Sequence, residues 1–493
     1  MTDNNQTTDD QAYKSNDKSL GNNKSLSIVT TIDEMQAQFS RLQALSRAQP
    51  INNWSTRETQ LDNLETMLSD NQQSLAQAIS ADFGYRSESE TQFAELVPSF
   101  TGISHAKKYG KKWMKTRRVS ISALYMPAHN EIQPQPLGVV GIMVPWNYPL
   151  FLAVGPIIDA LTAGNRIMIK MSESAPQFAQ VFADLIAHYF SPDMICVVLG
   201  EVDIAEAFSK LPFDHLLYTG STAVGKKIMA AAAPNLTPVT LELGGKSPVI
   251  VLDGANLESA VNRVMMGKTL NAGQTCIAPD YVLIQRKDHE AFINLAKEWM
   301  QKHYPNISEN PDYSRIINGA QFKRIKGYLD GLSDENIHKV TDADYDIETR
   351  LMPPVIISEP AADSDVMQNE LFAPILPLMH YDTLDDAIDF VNARPRPLAL
   401  YVFGERNSDI EKVRDNTVSG GLAINEVILH VAQHDLPFGG VGHSGTGAYH
   451  GKAGFERLSH MKPVFVQNKL NGMNLLLPPY GGFFNKAMAF MMK

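Results

Sequence analysis

Between about residues 137 and 250 the chain alternates short apolar runs with amphipathic stretches, and no other feature limits its fold so strongly. The apolar runs are Val139–Val144, Arg166–Ile169, Met194–Leu199, His215–Tyr218, Val239–Leu241 and Pro248–Leu252. Between them, Leu150–Ala163, Pro176–Tyr189, Asp203–Leu211 and Thr222–Ala233 carry apolar residues recurring at three and four, the period of a helix with one buried face. Strands and helices alternating at this spacing predict an α/β fold, a parallel sheet covered by helices. Gly138–Ile158 carries no charge and is long enough to be mistaken for a membrane helix. Pro145, Pro149 and Pro156 interrupt it, and Val139–Val144 is rich in β-branched residues, so a buried strand, a turn and a helix explain it better.

A second alternating region starts near Leu257 and runs past residue 430. Its helical stretches are Ser259–Leu270, His289–His303 and Leu384–Asn392, and its strand-like runs are Tyr281–Ile284, Val355–Ile357 and Leu398–Phe403. Upstream of both regions, Thr31–Ser46 and Glu58–Ala81 read as amphipathic helices. A chain of 493 residues has material for two or three domains. We place the main boundary close to Gly244–Gly245. A net charge of −11 argues against nucleic acid as a partner. The chain holds two cysteines, too few for a disulfide framework and without zinc-type spacing, which fits a reducing cytoplasm. Residues 1–27 are polar, with no apolar core and no arginine, and read as a disordered tail rather than a targeting signal.

The residues that carry chemistry flank the boundary. Cys276 closes Asn-Ala-Gly-Gln-Thr-Cys at 271–276. A free cysteine is most often a buried structural thiol, and Cys196, inside an apolar strand, fits that reading. Cys276 follows polar Gln274 and Thr275, a poor setting for a core position, and a thiol exposed at such a bend can attack a carbonyl as its thiolate. Glu242 ends the Thr-Leu-Glu strand, where a carboxylate is costly unless it is paired or functional. It would either pair with Lys246 or activate water as a general base. Asn147, in Pro-Trp-Asn-Tyr-Pro at 145–149, could be a turn residue between prolines or a fixed N–H donor to an alkoxide. Tyr218-Thr-Gly-Ser-Thr-Ala-Val-Gly225 joins a strand to a helix. Gly220 permits a tight turn, Ser221 and Thr222 can cap the helix, and its free N–H groups can receive a pyrophosphate. Lys170 and Glu173, in Lys-Met-Ser-Glu, are a solvated pair or a site for ribose hydroxyls.

Taken together, from roughly residue 40 to 470, these segments resemble the aldehyde dehydrogenase superfamily. The resemblance implies two parallel-sheet α/β domains, a Rossmann-like cofactor domain and a catalytic domain, plus a small oligomerisation arm. It divides the chain into the tail at 1–27, an NAD(P)-binding domain at 28–117 and 137–243, the arm at 118–136 and 452–470, a catalytic domain at 244–451 and a C-terminal tail at 471–493. It makes Cys276 the nucleophile, Glu242 the base that hydrolyses a thioester, and Asn147, with the Cys276 amide, the oxyanion hole. Pro145, Trp146, Lys170, Glu173, Gly220, Ser221, Gly225, Leu243, Gly244, Glu370 and Phe372 would hold the cofactor, NAD with NADP left open, since Glu173 disfavours a 2′-phosphate while Lys170 partly offsets that. Tyr148, Phe438 and His430 would line the aldehyde pocket. Met171 and Ala373 depart mildly from the family pattern, which more often has proline and glycine there.

Asn-Ala-Gly-Gln-Thr-Cys-Ile-Ala-Pro-Asp, Gly-Ala-Tyr-His-Gly-Lys at 447–452 and Leu-Pro-Pro-Tyr-Gly at 477–481 resemble the class 3-like branch, most of all bacterial coniferyl aldehyde dehydrogenases. That implies an aromatic or medium- to long-chain aliphatic aldehyde, a carboxylic acid product and a homodimer. His430 and His434 are four apart, as two metal ligands on a helix would be, but no His-Glu-x-x-His pattern occurs and the resemblance puts both near the substrate entrance. No metal is expected. The methionine-rich tail is broken by Pro478, Pro479, Gly481 and Gly482, so it cannot span a membrane. A short amphipathic helix over Phe483–Met492 could pack on the protein or touch a membrane surface.

Overall fold

A computed structural model describes residues 27–473 and 477–492; the tail expected over 1–27 lies outside the described residues but for Ser27. Two seven-stranded sheets and one three-stranded sheet organise them. The first sheet runs in the order Ile28–Val29, Ile195–Val198, Arg166–Lys170, Val139–Met143, His215–Gly220, Val239–Leu243 and Gly445–Thr446. Every pairing in it is parallel except the last, in which Gly445 lies opposite Glu242. The order reverses at Val139–Met143: one crossover leads to Arg166–Lys170 on one side, and the chain later returns to His215–Gly220 on the other. Such a reversal opens a crevice at the carboxyl ends of the strands.

Gly138–Ile158 is a strand, a turn and then part of the helix Phe151–Ala163, all of whose residues are buried. Helices Trp54–Asp70, Val97–Trp113 and Gly451–Arg457 cover this one, so it needs no polar face. Gly110 admits the Trp54 ring, which a β-carbon there would meet at 2.6 Å. Among the described residues no helix is long and apolar enough to cross a membrane.

The helix expected over Glu58–Ala81 is two helices, Trp54–Asp70 and Gln72–Phe83. Asn71 separates them with φ −125° and ψ 18°, its side chain donating to Met67 O at 2.8 Å. The short polar side chain competes with the backbone for its own hydrogen bonds and ends the first helix, although the apolar period runs on across the break. Thr31–Ser46 becomes Ile32–Ala48, opened by a capping box of Thr31 and Glu34.

The second sheet runs Ile337–Lys339, Val355–Ser358, Ile375–Tyr381, Tyr281–Gln285, Pro248–Val251, Ala399–Phe403 and Gly421–Ile424, parallel except at Ile337–Lys339. It reverses at Pro248–Val251, the first strand after Glu242. The third sheet is antiparallel: Arg117–Val119, His129–Pro136 and Ser459–Val466. Near it Val119, Leu124, Tyr125, Met126 and Phe465 are exposed. The helix Gly482–Met491 buries none of its residues.

Candidate active site

The crevice of the first sheet gathers most of the residues expected to hold a cofactor. Pro145 and Trp146 follow Val139–Met143, Lys170 ends Arg166–Lys170, Gly220 ends His215–Gly220, and Leu243 ends Val239–Leu243. Ser221 caps the helix Thr222–Ala232, accepting from Val224 N at 3.4 Å. A β-carbon on Gly225 would strike Leu243 at 2.6 Å, so glycine lets that helix approach the strand end. Lys170 is buried; its Nζ donates to Met171 O at 2.6 Å and lies 3.8 Å from the Glu173 carboxylate. From the second sheet's side, Glu370 and Phe372 reach the same crevice. The Trp146 and Phe372 rings meet edge to face at 5.4 Å, and Glu370 packs so closely on Gly244 that a β-carbon there would overlap its carboxylate. Glu370 Oε1 is buried and has no hydrogen-bond partner among the described residues, and burial pushes its carboxyl up to about 8. A helix N-terminus, a glycine cradle and a buried acceptor with spare capacity fit a bound dinucleotide.

The nucleophile loop faces the crevice from across the boundary. Helix Leu257–Thr269 ends into Asn271, Ala272 and Gly273, all left-handed with φ of 52°, 50° and 72°. A β-carbon on Gly273 would lie 2.3 Å from Ala373 O, so the turn and the Glu370–Ala373 loop are in close contact. Gln274 and Thr275 are buried, which corrects the inference that their polarity marks exposure. Their polar atoms are satisfied internally: the Gln274 amide donates to Asn271 O at 2.9 Å and Arg315 O at 3.0 Å, and its oxygen accepts from Ile317 N at 3.0 Å. Thr275 Oγ1 shares a 2.7 Å hydrogen bond with the Tyr148 hydroxyl. Cys276 stands half-buried beyond them, whereas Cys196 is fully buried. Burial, with the Glu370 and Glu242 carboxyls, pushes the Cys276 thiol up to about 12.

Asn147 is buried against this loop, its Nδ2 donating to Gln274 O at 3.2 Å while its own carbonyl accepts from Asn271 Nδ2 at 2.9 Å. Glu242 is buried too, and neither carboxylate oxygen has a hydrogen-bond partner among the described residues. Burial holds its carboxyl well above the usual range, only partly opposed by Arg457. An ion pair between Glu242 and Lys246 does not form. Lys246 Nζ lies 3.0 Å from Asp280 instead, and Lys268 Nζ 3.5 Å from the other oxygen of the same carboxylate.

Beside Cys276 opens a cavity of about 290 Å³ with apolar walls, including Phe93, Val97, Tyr148, Phe151 and Phe438. Its floor residues Tyr148, Thr275 and Ile277 are buried, while Phe93, Val97 and Thr101 are exposed at its mouth. His430, expected in this wall, is not part of it. Leu429, Val431 and Ala432 of the 3₁₀ turn Leu429–Ala432 line the cavity, whereas the His430 ring lies behind that wall, 6.0 Å from Tyr401 and 6.2 Å from the cavity residue Phe438. His434 lines the cavity, its Nε2 hydrogen-bonded to Thr101 Oγ1 at 3.0 Å. Sequence reasoning missed Asp280, seen only as part of a branch motif, and also Arg86, Glu90 and Glu95. The sequence carried no signal for these three: the segment 86–96 is polar and partly exposed, and only the structure shows Arg86, Glu90 and Glu95 buried while Glu88 is exposed.

Two sheets whose strand orders each reverse, with a half-buried thiol beside a crevice that fits a dinucleotide, are a framework suited to a nicotinamide-dependent oxidoreductase. The chain belongs to the aldehyde dehydrogenase family, whose model matches residues 13–464. It is 49% identical over 455 residues to a probable coniferyl aldehyde dehydrogenase of Pseudomonas aeruginosa, covering 92% of this chain and 95% of that one. The substrate-bound structure of Staphylococcus aureus AldH superposes with a TM-score of 0.89 at 37% identity, over 93% of this chain and 99% of that one. An NAD⁺ complex of a Mycobacterium tuberculosis aldehyde dehydrogenase aligns with a TM-score of 0.79 at 25% identity, over 89% and 91%. The protein is an NAD(P)-dependent aldehyde dehydrogenase.

The raised thiol makes a prediction for the cofactor-free protein. Alkylation by iodoacetamide should modify Cys276 and spare Cys196, with a rate that climbs with pH and shows no plateau below about pH 10. A plateau near neutral pH would mean that the thiolate is already formed before any ligand binds.

Proposed function

We propose that the protein oxidises aromatic propenals of the coniferyl type to their carboxylic acids. What carries the reading is the apolar cavity closing on Cys276, with one polar pair, Thr101 and His434, at its open end. The relative at 49% identity, called a probable coniferyl aldehyde dehydrogenase, supports the same substrate class. An aldehyde carbon at the floor would direct the far edge of a phenyl ring toward the mouth, where a ring hydroxyl meets Thr101 and His434.

In this reading Cys276 Sγ bonds to the aldehyde carbon and its proton leaves. The resulting alkoxide is stabilised by Asn147 Nδ2 and the Cys276 N–H. The cofactor, when bound, supplies the acceptor for the hydride that leaves this carbon. Cys276 then carries a thioester, Glu242 takes a proton from water, the hydroxide bonds to the acyl carbon, and the acid departs with return of the thiol. A buried carboxyl with no donor among the described residues has its acceptor capacity available for that water. Glu173, half-exposed beside Lys170, favours NAD over NADP. We further place the protein in the cytoplasm, with two copies joined through the three-stranded sheet, whose exposed Val119, Tyr125 and Phe465 would be covered.

Four measurements test this. With NAD, kcat/KM for 4-hydroxycinnamaldehyde should exceed that for cinnamaldehyde by about tenfold, in keeping with one hydrogen bond of about 1 to 1.5 kcal/mol. A preference for long alkanals over both would reject the aromatic reading. Glu242→Gln should give a burst of reduced cofactor near one per site, then turnover slowed on the order of 100-fold or more. Deacylation in the parent should rise with pH through a value above the ordinary carboxylate range, because only the deprotonated Glu242 can accept a proton. Undiminished steady-state turnover in the variant would remove Glu242 from the base role. Sedimentation should report about twice the chain mass of 54.5 kDa; a monomer would leave the exposed sheet without the proposed partner.

A further inference from the structure

Glu90 and Glu95 belong to a segment that changes helix type. An α-helical turn at Glu88–Thr91 passes into a π-helical turn, Gln92–Leu96, and then into the helix Val97–Trp113. Pro98 explains the widening: it has no N–H to donate, and in a regular helix its ring would crowd the carbonyl of Ala94. Val97 N accordingly bonds to Gln92 O, five residues back. In a regular helix of 3.6 residues per turn, two residues five apart face well away from one another. The wider turn lets Glu90 and Glu95 reach two neighbouring loops from one segment, and both are buried.

Glu95 reaches the loop that carries Asn147. Its Oε2 accepts from Leu150 N at 2.8 Å and Phe151 N at 3.0 Å, at the start of a helix with no side-chain cap of its own. Its Oε1 lies 2.7 Å from Arg86 Nη1, and the same Nη1 donates to Asn147 O at 3.2 Å. Arg86 stands 4.8 Å from the Tyr148 ring centroid and is itself fully enclosed. Glu90 reaches the nucleophile turn: its Oε1 accepts from Asn271 N at 3.0 Å, and its Oε2 bonds to Ser314 Oγ. Asn271 Nδ2 closes the circuit on Asn147 O.

We propose that Glu90 and Glu95 are positioning residues that fix the Asn147 loop and the Cys276 turn relative to each other, and so set the oxyanion site. The proposal rests on the roles given above to Asn147 and Cys276. A left-handed Asn271–Ala272 pair is strained and persists only where its surroundings over-determine it. The hydrogen bond from Asn271 N to Glu90 is one of the bonds that do so, and neither glutamate touches the cavity.

Glu95→Gln keeps the side-chain shape but turns an NH₂ group toward an N–H donor. Glu90→Leu is needed to remove the acceptor of Asn271 N, because a glutamine there can turn its NH₂ to Ser314 Oγ and keep its oxygen on Asn271 N. In rapid-mixing experiments with the full-length protein, the rate constant for the burst of reduced cofactor, per site titrated by Cys276 alkylation, should fall on the order of 10- to 100-fold in each variant. KM for the aldehyde should stay within about threefold, the signature of geometry lost at the transition state rather than of weaker binding. The double variant should be little worse than the poorer single variant, since both act through one geometry. Burst constants equal to those of the parent in both single variants would overturn the proposal. So would a loss seen only as fewer titratable sites, which marks a structural role. If Glu95→Gln does not fold, Glu90→Leu decides by the same readout, with Glu90→Gln, which can keep the bond to Asn271 N, expected to stay close to the parent. Asn147→Ala separates the two layers: an unchanged burst there removes the oxyanion role, whereas a lost burst beside normal glutamate variants removes only the positioning.

Discussion

One buried carboxylate ties the site together. Asp280 lies four residues past Cys276, and its two oxygens meet Lys246 and Lys268 at 3.0 and 3.5 Å. It also accepts from Leu371 N at 3.3 Å, while its own N–H donates to Ser247 O at 2.8 Å. Four segments therefore meet on one residue: the chain just past Glu242, the helix before the nucleophile turn, the nucleophile loop, and the loop that carries Glu370. Burial pushes the Lys268 ammonium down to about 8 and the Glu370 carboxyl up to about 8, because a dry setting disfavours the charged form of each. Breaking such a pair by removing one partner typically costs about 3–5 kcal/mol, although an apolar replacement of the whole cluster could be as stable. What an apolar cluster lacks is direction. Hydrogen bonds to a single carboxylate fix the relative placement of four loops in a way that side-chain packing alone does not.

The fold was legible where the local pattern and the tertiary setting agree. Strands of the first sheet are buried on both faces, so their sequences are continuous apolar runs, and the helices between them show one apolar face. Ile375–Tyr381, with Pro377 and His380 in it, was not picked out as a strand, although it pairs with Val355–Ser358 and Tyr281–Gln285. Its partners rather than its composition make it a strand. Asn71 misled in the other direction. The apolar period continues through it, and only the competition of its side chain for Met67 O ends the helix.

In the site, position along the chain was readable and environment was not. Cys276, Glu242 and Asn147 stood out as residue types in suggestive turns, yet the polarity of Gln274 and Thr275 pointed to solvent when both are buried. A sequence shows that a side chain can form hydrogen bonds but not whether protein or water satisfies them. His430 shows the same limit at the scale of a single turn. Expected in the pocket from the resemblance, it stands behind the wall against Phe438, while His434 lines the cavity.

Among the described residues, five of the ten non-glycine residues with positive φ lie around the site. Asn271, Ala272, Phe372, Ile428 and His450 all have positive φ, and of these Ile428, a β-branched residue at φ 61°, is among the least tolerant of it. Each belongs to a segment that borders Cys276, the cofactor crevice or the cavity wall. Residues held this way cost on the order of 1–3 kcal/mol apiece, and they persist because packing on either side leaves no alternative. Here that packing comes from one buried cluster that runs through both sheets, with Val140 and Ile142 on the Asn147 side and Val249 and Val282 on the Cys276 side. The large buried core of a long chain can sustain strained turns that a small domain could not.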